Sequence, residues 1–413
     1  MRTRDSPERP ASDEMRRTAF SAPFVSTIAV SFSFILGVSI VVPVLPLVVD
    51  SYGLSRAGGG LLLSSFALGR LGFDLVAGVL GDRFGIRRMA LVACLLTVVA
   101  SVVAATTPSY PLLLTARVVQ GAGSALYMAV AMSQVITMAP EGQVGRLLAI
   151  YQGVTLAGVS FGPTVGGLVT AAWGIAGPFV VYAIFGVVGA VVVLRWMPAA
   201  SVVLRTGVAD AMERRPQVRR LLADRTFLLV LLAAFTVFAT RSGIGNTLLP
   251  LFATERFGFS ETAVGLLLTG SAVGNLLVVT HAGRSVDRSG RRFTLRLGLW
   301  ASVPVAAALA LVTAPWMLFV LAAGLGAAKG YAGVVPGAVL SDLTSPAIRG
   351  TAVGIQRMTT DLGLLAGPVL AGALADGLGF TSTFVITAGF VAAIALATAL
   401  MRETAPTLRR RKA

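Results

Sequence analysis

The chain reads as an all-α membrane protein of twelve transmembrane helices, arranged as two six-helix bundles related by pseudo-two-fold symmetry. Three observations predict this. The 413 residues are 55% hydrophobic and only 13% charged, with a mean hydropathy of +0.83, too apolar for a soluble domain of this length. Apolar runs of spanning length, about 20 residues, recur along the whole chain. The sequence also repeats itself 205 residues on: Asp82 returns as Asp287, Arg83 as Arg288, Gly85 as Gly290, Arg87 as Arg292, Gly158 as Gly363, Gly162-Pro163 as Gly367-Pro368 and Gly167 as Gly372. Parallel duplication of a membrane bundle places a solute site between the halves.

In chain order, residues 1–18 form a charged tail, and the apolar run that follows is too long for the core of a signal peptide and lacks a small-residue cleavage site. The N-terminal bundle is expected over 19–196, with spans near 20–49, 58–81, 87–107, 110–137, 143–171 and 174–196. A linker over 197–225 joins it to the C-terminal bundle, 226–401, with spans near 226–253, 259–282, 293–313, 315–340, 350–375 and 378–401. A basic tail, 402–413, ends the chain. In the linker, Arg205, Arg214, Arg215, Arg219 and Arg220 alternate with Asp210, Glu213 and Leu221-Leu222. The pattern fits either an amphipathic helix on an anionic leaflet or a solvated tether.

The net charge of +16 does not indicate nucleic acid, because the basic residues are confined to short connectors between apolar runs. Connectors on the side of the termini hold 27 of the 34 Lys and Arg, whereas the opposite connectors hold only Arg56 and Arg256. The positive-inside rule then puts both termini in the cytoplasm of a multi-pass cell-membrane protein. The one cysteine, Cys94, lies in an apolar run and can form no intrachain disulfide. No metal-ligand spacing, nucleophile elbow or phosphate-cradling loop is present, so neither an enzyme, a metal site, a cofactor nor direct ATP drive is expected.

Three motifs carry more specific information. Between spans 2 and 3, Gly78–Arg88 reads GVLGDRFGIRR, and its partial copy, Gly283–Arg292, reads GRSVDRSGRR. Each combines turn glycines, an acid at a helix end and following arginines. In span 5, Gly158, Gly162, Gly166 and Gly167 place small residues where another backbone can approach, and Pro163 removes a backbone donor and permits a bend. In span 4, Arg117-x-x-Gln120-Gly121-x-Gly123 places a cation at membrane depth.

Together these motifs resemble those of the major facilitator superfamily, in its twelve-span drug:proton antiporter branch. The resemblance implies that Asp82, Arg83, Arg87 and Arg88, with Asp287 and Arg288 in the copy, belong to a cytoplasmic gate. It implies that Gly158 to Gly167 form the antiporter motif of exporters, although close helix packing alone accounts for the same glycines. It also implies a part in proton transfer for Arg117, which stays protonated and can act only by shifting a neighbour or holding an anion. One departure is that the first span has no acid between Ala19 and Val49.

Ionisable residues at membrane depth are functional candidates by default, each costing at least ~2.5 kcal/mol if left facing lipid at the bilayer centre. Arg70 and Asp74 fall in span 2, and Arg357 and Asp361 in span 11. Because the two spans run in opposite directions, their depths match in crossed fashion. This predicts a four-residue latch in which Asp74 faces Arg357 and Arg70 faces Asp361; neutralisation within each helix, at i,i+4, is the alternative. Arg117, Arg241 and Lys329 fall in spans 4, 7 and 10, which line the central cavity in the family this chain resembles. Lys329 is expected either to bind an anionic group of a solute or to carry coupling by changing protonation, unless it snorkels or bonds carbonyls beside Gly330. Asn246, Asn275, Gln152, Gln356, Tyr127, Tyr151 and Tyr331 are candidate neutral contacts, and His281, the only histidine, falls at an interfacial position.

The expectation is a secondary active transporter that works as a monomer by alternating access. It would export a small organic compound, a drug or metabolite, in exchange for protons, with Asp361 and Lys329 the leading titratable groups. An importer or exchanger of organic anions using the basic cavity is the alternative.

Overall fold

A computed structural model describes residues 21–139, 144–197, 208–345 and 348–405. Among them, ten helices are long and apolar enough to cross a membrane. Arg56–Phe84, a further helix of 29 residues, fills the second span. The 52-residue stretch Arg349–Leu400 holds two spans, divided at Gly379, whose φ of 77° breaks the helix. The result is twelve: α1 (Ala22–Ser51), α2 (Arg56–Phe84), α3 (Ile86–Thr106), α4 (Tyr110–Met138), α5 (Val144–Trp173), α6 (Ala176–Trp196), α7 (Arg225–Phe257), α8 (Glu261–Arg288), α9 (Arg291–Leu311), α10 (Pro315–Leu343), α11 (349–378) and α12 (380–400). A linker helix, Val208–Ala223, precedes α7. It seats Leu221 against Phe227, Leu231 and Ile348 of the C-terminal half, and it exposes Arg219 and Arg220.

The repeat is visible in the backbone. Among the described residues, six glycines have φ between 60° and 102°, and they form three pairs 205 residues apart: Gly53 with Gly258, Gly85 with Gly290, and Gly174 with Gly379. Each ends or begins a helix in a conformation that a Cβ disfavours. Packing within each half repeats as well. Gly69 lies against the Val118 carbonyl and Gly121 against that of Phe66, closing α2 on α4. Their counterparts Gly274 and Gly326 lie against Ala323 and Ser271, closing α8 on α10. Small residues are needed because lipid tails are as apolar as the side chains, leaving close backbone contact as the source of affinity.

Each half has its own apolar core. Phe34 stacks on Tyr127 at 4.5 Å in the N-terminal half, and Val230, Leu299 and Val335 lie at the centre of the other. The halves meet along two seams, α2 on α11 and α5 on α8. At the end of the bundle away from the termini, the last turns of α1 also reach α7 and α8.

Candidate transport site

Between the halves lies a cavity of about 170 Å³. The N-terminal half contributes Ser39, Val42, Leu156, Val159 and Pro163, and the C-terminal half contributes Arg241, Asn246, Asn275, Ser271 and Lys329. Its walls are unlike: the N-terminal side is nearly apolar, whereas the C-terminal side sets these polar and cationic groups among Val237, Phe238, Leu268 and Ala272.

The polar wall depends on a change in helix type. Within α7, residues Arg241–Leu248 form a π-helix, marked by the Thr247 hydroxyl donating to the Ser242 carbonyl five residues back, at 2.8 Å. The wider turn brings Arg241, Gly245 and Asn246 onto the face that lines the cavity, which an α-helical turn of 3.6 residues would not do for positions five apart. Such segments concentrate at functional sites. Lys329, 8% exposed, extends from α10 over Gly245, where an added methyl would stand 3.1 Å from its Nζ. Arg241 lies within electrostatic reach of Lys329. Among the described residues, neither side chain has a hydrogen bond or an ion pair.

A second charged site lies in the α2/α11 seam. Arg70 Nε stands 3.4 Å from Asp361 Oδ1, and Asp361 is 2% exposed. Arg70 also approaches Asp74 of its own helix at 4.0 Å. Arg70 Nε, Asp74 Oδ2 and Asp361 Oδ2 are buried without a hydrogen bond. The expected latch is thus half present: Arg70 meets Asp361 across the halves, but no ion pair joins Asp74 to Arg357. Both acids instead approach the one guanidinium of Arg70, and Arg357 acts on Asp361 from beyond ion-pair distance.

Several expected cavity residues lie elsewhere. Gln152, Gln356, Tyr331 and Tyr151, whose hydroxyl donates to Met128 Sδ at 3.2 Å, do not line the cavity, and neither do Arg117 and Tyr127. Arg117, 1% exposed, is held inside the N-terminal half. It donates to Gln120 Oε1 at 2.7 Å and to the Leu62 carbonyl at 3.3 Å, and its guanidinium covers the Phe66 ring at 4.6 Å. Gln120 in turn donates to Ser101 at 2.8 Å, so the cation is solvated by the bundle itself. Tyr127 is likewise core, donating to the Thr27 carbonyl at 3.2 Å.

The glycines of α5 divide their contacts. Gly158 faces Phe32 and Ile35, Gly162 faces Ser39, and Gly166 faces the Ile40 carbonyl, all on α1; Gly167 instead meets the Glu261 carbonyl of the other half. Pro163 lies within α5, and its carbonyl meets Gly265 of α8. Arg87 donates to the Leu194 carbonyl of α6. The side chains of Asp82 and Arg83 lie outside the described residues. In the second copy, Asp287 pairs with Arg291 at 3.2 Å, and Arg291 with Asp342 at 3.0 Å; Arg288 ends α8. His281 Nδ1 lies 2.6 Å from the Tyr331 hydroxyl.

Arg56 is expected from the sequence to mark topology alone, and Glu255 and Asp376 are not among the expected site residues. The structure joins them. Arg56 pairs with Glu255 at 2.5 Å and lies 3.8 Å from Asp376, with its guanidinium over the Phe380 ring at 4.4 Å. The Asp376 carboxylate also accepts from the backbone amides of Arg56 and Ala57, each at 2.9 Å. An acid of one half thereby caps a helix of the other. The available signal was three charges beside the outer helix ends, where charge is otherwise sparse.

A bundle of twelve apolar helices with a cavity between two repeated halves is the architecture of a membrane transporter of small molecules. The chain belongs to the Major Facilitator Superfamily, whose model matches residues 27–252 and 230–413. It is 23% identical over 363 residues to the quinolone resistance protein NorA of Staphylococcus aureus, covering 84% of this chain and 88% of that one. It is 28% identical over 341 residues to the 3-(3-hydroxy-phenyl)propionate transporter of Escherichia coli, covering 79% of each. Among solved structures, the nucleoside transporter NupG superposes with a TM-score of 0.77 over 91% of this chain and 98% of that one, at 14% identity, a likeness of fold.

Proposed function

We propose that this transporter couples proton entry to the export of a small organic compound across the cell membrane. It works as a monomer by alternating access, with both termini in the cytoplasm. The observation that carries the reading is the Arg70–Asp361 pair, buried in the seam between the halves and separate from the cavity. A proton on Asp361 removes the charge that holds Arg70, so the seam can part; loss of the proton restores it. Falling pH on the side that reaches Asp361 therefore favours separation, and rising pH favours closure. Gradient energy enters at the seam while the solute occupies the cavity, and the two share the same rigid halves.

The names of two relatives support the class of cargo. A quinolone resistance protein fits removal of an aromatic organic compound, and a hydroxyphenylpropionate transporter fits an aromatic acid. Everted membrane vesicles loaded with a pH-sensitive dye test the reading, with a quinolone and 3-(3-hydroxyphenyl)propionate as probes. The expected result is proton release on addition of a cargo, abolished by a protonophore and absent in Asp361→Asn, which still exchanges labelled for unlabelled cargo. Gradient-driven movement that survives in Asp361→Asn overturns the proposal.

A further inference from the structure

The cavity contains a mismatch that the transport reading leaves unexplained. Two cations, Arg241 and Lys329, are held at membrane depth with no counter-charge and no hydrogen bond among the described residues, and no acid lines the cavity. Neighbouring cations of this kind are unfavourable unless an anion joins them, because each loses hydration and repels the other. Arg117 shows the alternative within the same chain, where burial of a cation is matched by Gln120, a carbonyl and an aromatic face. The free donors of Arg241 and Lys329 therefore mark a binding function. Opposite them, Val42, Leu156, Val159 and Pro163 offer an apolar wall, with Ser39 beside them as its polar side chain.

We propose that the solute is an amphipathic organic anion, its carboxylate held between Arg241 and Lys329 and its apolar body laid against the wall of the N-terminal half. The assignment rests on the cavity being the transport site, and it narrows the cargo to one chemical class. Arg241 supplies a planar fork suited to two carboxylate oxygens, and Lys329 supplies a compact charge that can follow the head group. Gly245 leaves room for the lysine, since a methyl there would stand 3.1 Å from Nζ and push the head group aside by a few tenths of an ångström. The two ends of the solute thus hold different halves of the protein, so occupancy itself draws the halves together. A cation of the same shape is repelled by both charges. A neutral analogue leaves them unpaired.

The test uses the full chain in detergent and a panel sharing one skeleton: 4-butylbenzoate, 4-butylbenzyl alcohol and 4-butylbenzylammonium. Binding is followed by calorimetry. The benzoate is expected to bind at least about tenfold more tightly than the alcohol, with no binding of the ammonium. Lengthening the alkyl group is expected to improve affinity by roughly fourfold per methylene until the cavity is filled. Lys329→Gln should weaken the benzoate by about tenfold or more while leaving the alcohol unchanged; Lys329→Arg keeps the charge and should keep the preference. If Lys329→Gln does not fold, Arg241→Gln provides the same comparison. Equal affinity for acid, alcohol and ammonium, an absence of saturable benzoate binding, or an acid preference that survives both neutral variants overturns the proposal. Benzoate binding without proton release in vesicles would overturn the coupling reading alone, and proton-driven movement of the ammonium would overturn the anion assignment alone.

Discussion

The two seams between the halves are built alike and charged differently. In one, Gly60 of α2 lies against the Pro368 carbonyl of α11; in the other, Gly265 of α8 lies against the Pro163 carbonyl of α5. Gly372 meets Arg56 and Ala57, and Gly167 meets Glu261 and Thr262. The Ser64 hydroxyl donates to the Leu365 carbonyl at 2.6 Å, and the Thr269 hydroxyl donates to that of Ser160 at 3.2 Å. Every one of these residues has its counterpart 205 positions away. Yet Arg70 and Asp361, which pair in the first seam, correspond to Asn275 and Leu156, which line the cavity from the second. The outer ends differ in the same sense. Ser55 and Ser260 cap α2 and α8 from within their own halves, but α2 is capped in addition by Asp376 from the other half. Backbone contact is thus shared by the fold's two copies, and charge is confined to one of them. Packing belongs to the symmetric part, and the buried charge to the part that breaks symmetry.

The largest effect is expected from unpairing the charged seam. Arg70→Ala leaves Asp361 buried without its partner and should lower stability by roughly 3–5 kcal/mol, read as a fall in the melting temperature of the purified protein. The double variant Arg70→Asn with Asp361→Leu copies the neutral seam. It should return to within about 1–2 kcal/mol of the parent or exceed it, yet show no gradient-driven transport in vesicles. Recovery of transport along with stability would show that the charges serve packing alone.

Next in size are the close approaches. Gly60→Ala and Gly265→Ala each press a methyl onto a carbonyl of the opposite half, and each should cost about 1–3 kcal/mol. Similar losses in the two variants would support equal backbone packing, whereas a loss confined to Gly60→Ala would tie the seam's packing to its charge.

Removal of the cross-half cap by Asp376→Ala should cost about 0.5–2 kcal/mol and raise the accessibility of a cysteine placed at position 57 to a membrane-impermeant thiol reagent. Ser260→Ala, its local analogue in the other seam, should cost a similar amount without opening that end. The smallest effects are expected from the paired hydroxyls. Ser64→Ala and Thr269→Val should each cost ~0.6 kcal/mol, the average for polar contacts between membrane helices, with no difference in transport between them.

The number of spans, the duplication and the identity of the charged candidates are legible along the chain alone. Apolar length and a shift of 205 are properties of the chain read in one dimension, and a membrane leaves helices little alternative. Even the Arg70–Asp361 contact was legible, since two antiparallel helices with matched depths bring those positions together. Which candidates are free depends on how the helices pack. Arg117 and Lys329 look equivalent in sequence, each a cation at depth, but Gln120 and Phe66 occupy the first and, among the described residues, no side chain pairs with the second. Packing also decides that α7 widens into a π-helix at Arg241–Leu248, that Asp74 shares Arg70 with Asp361, and that Asp376 caps a helix 319 residues away. A side chain's depth follows from its position along one helix. Its partners are set by the rotation and approach of several helices, and no local pattern encodes those.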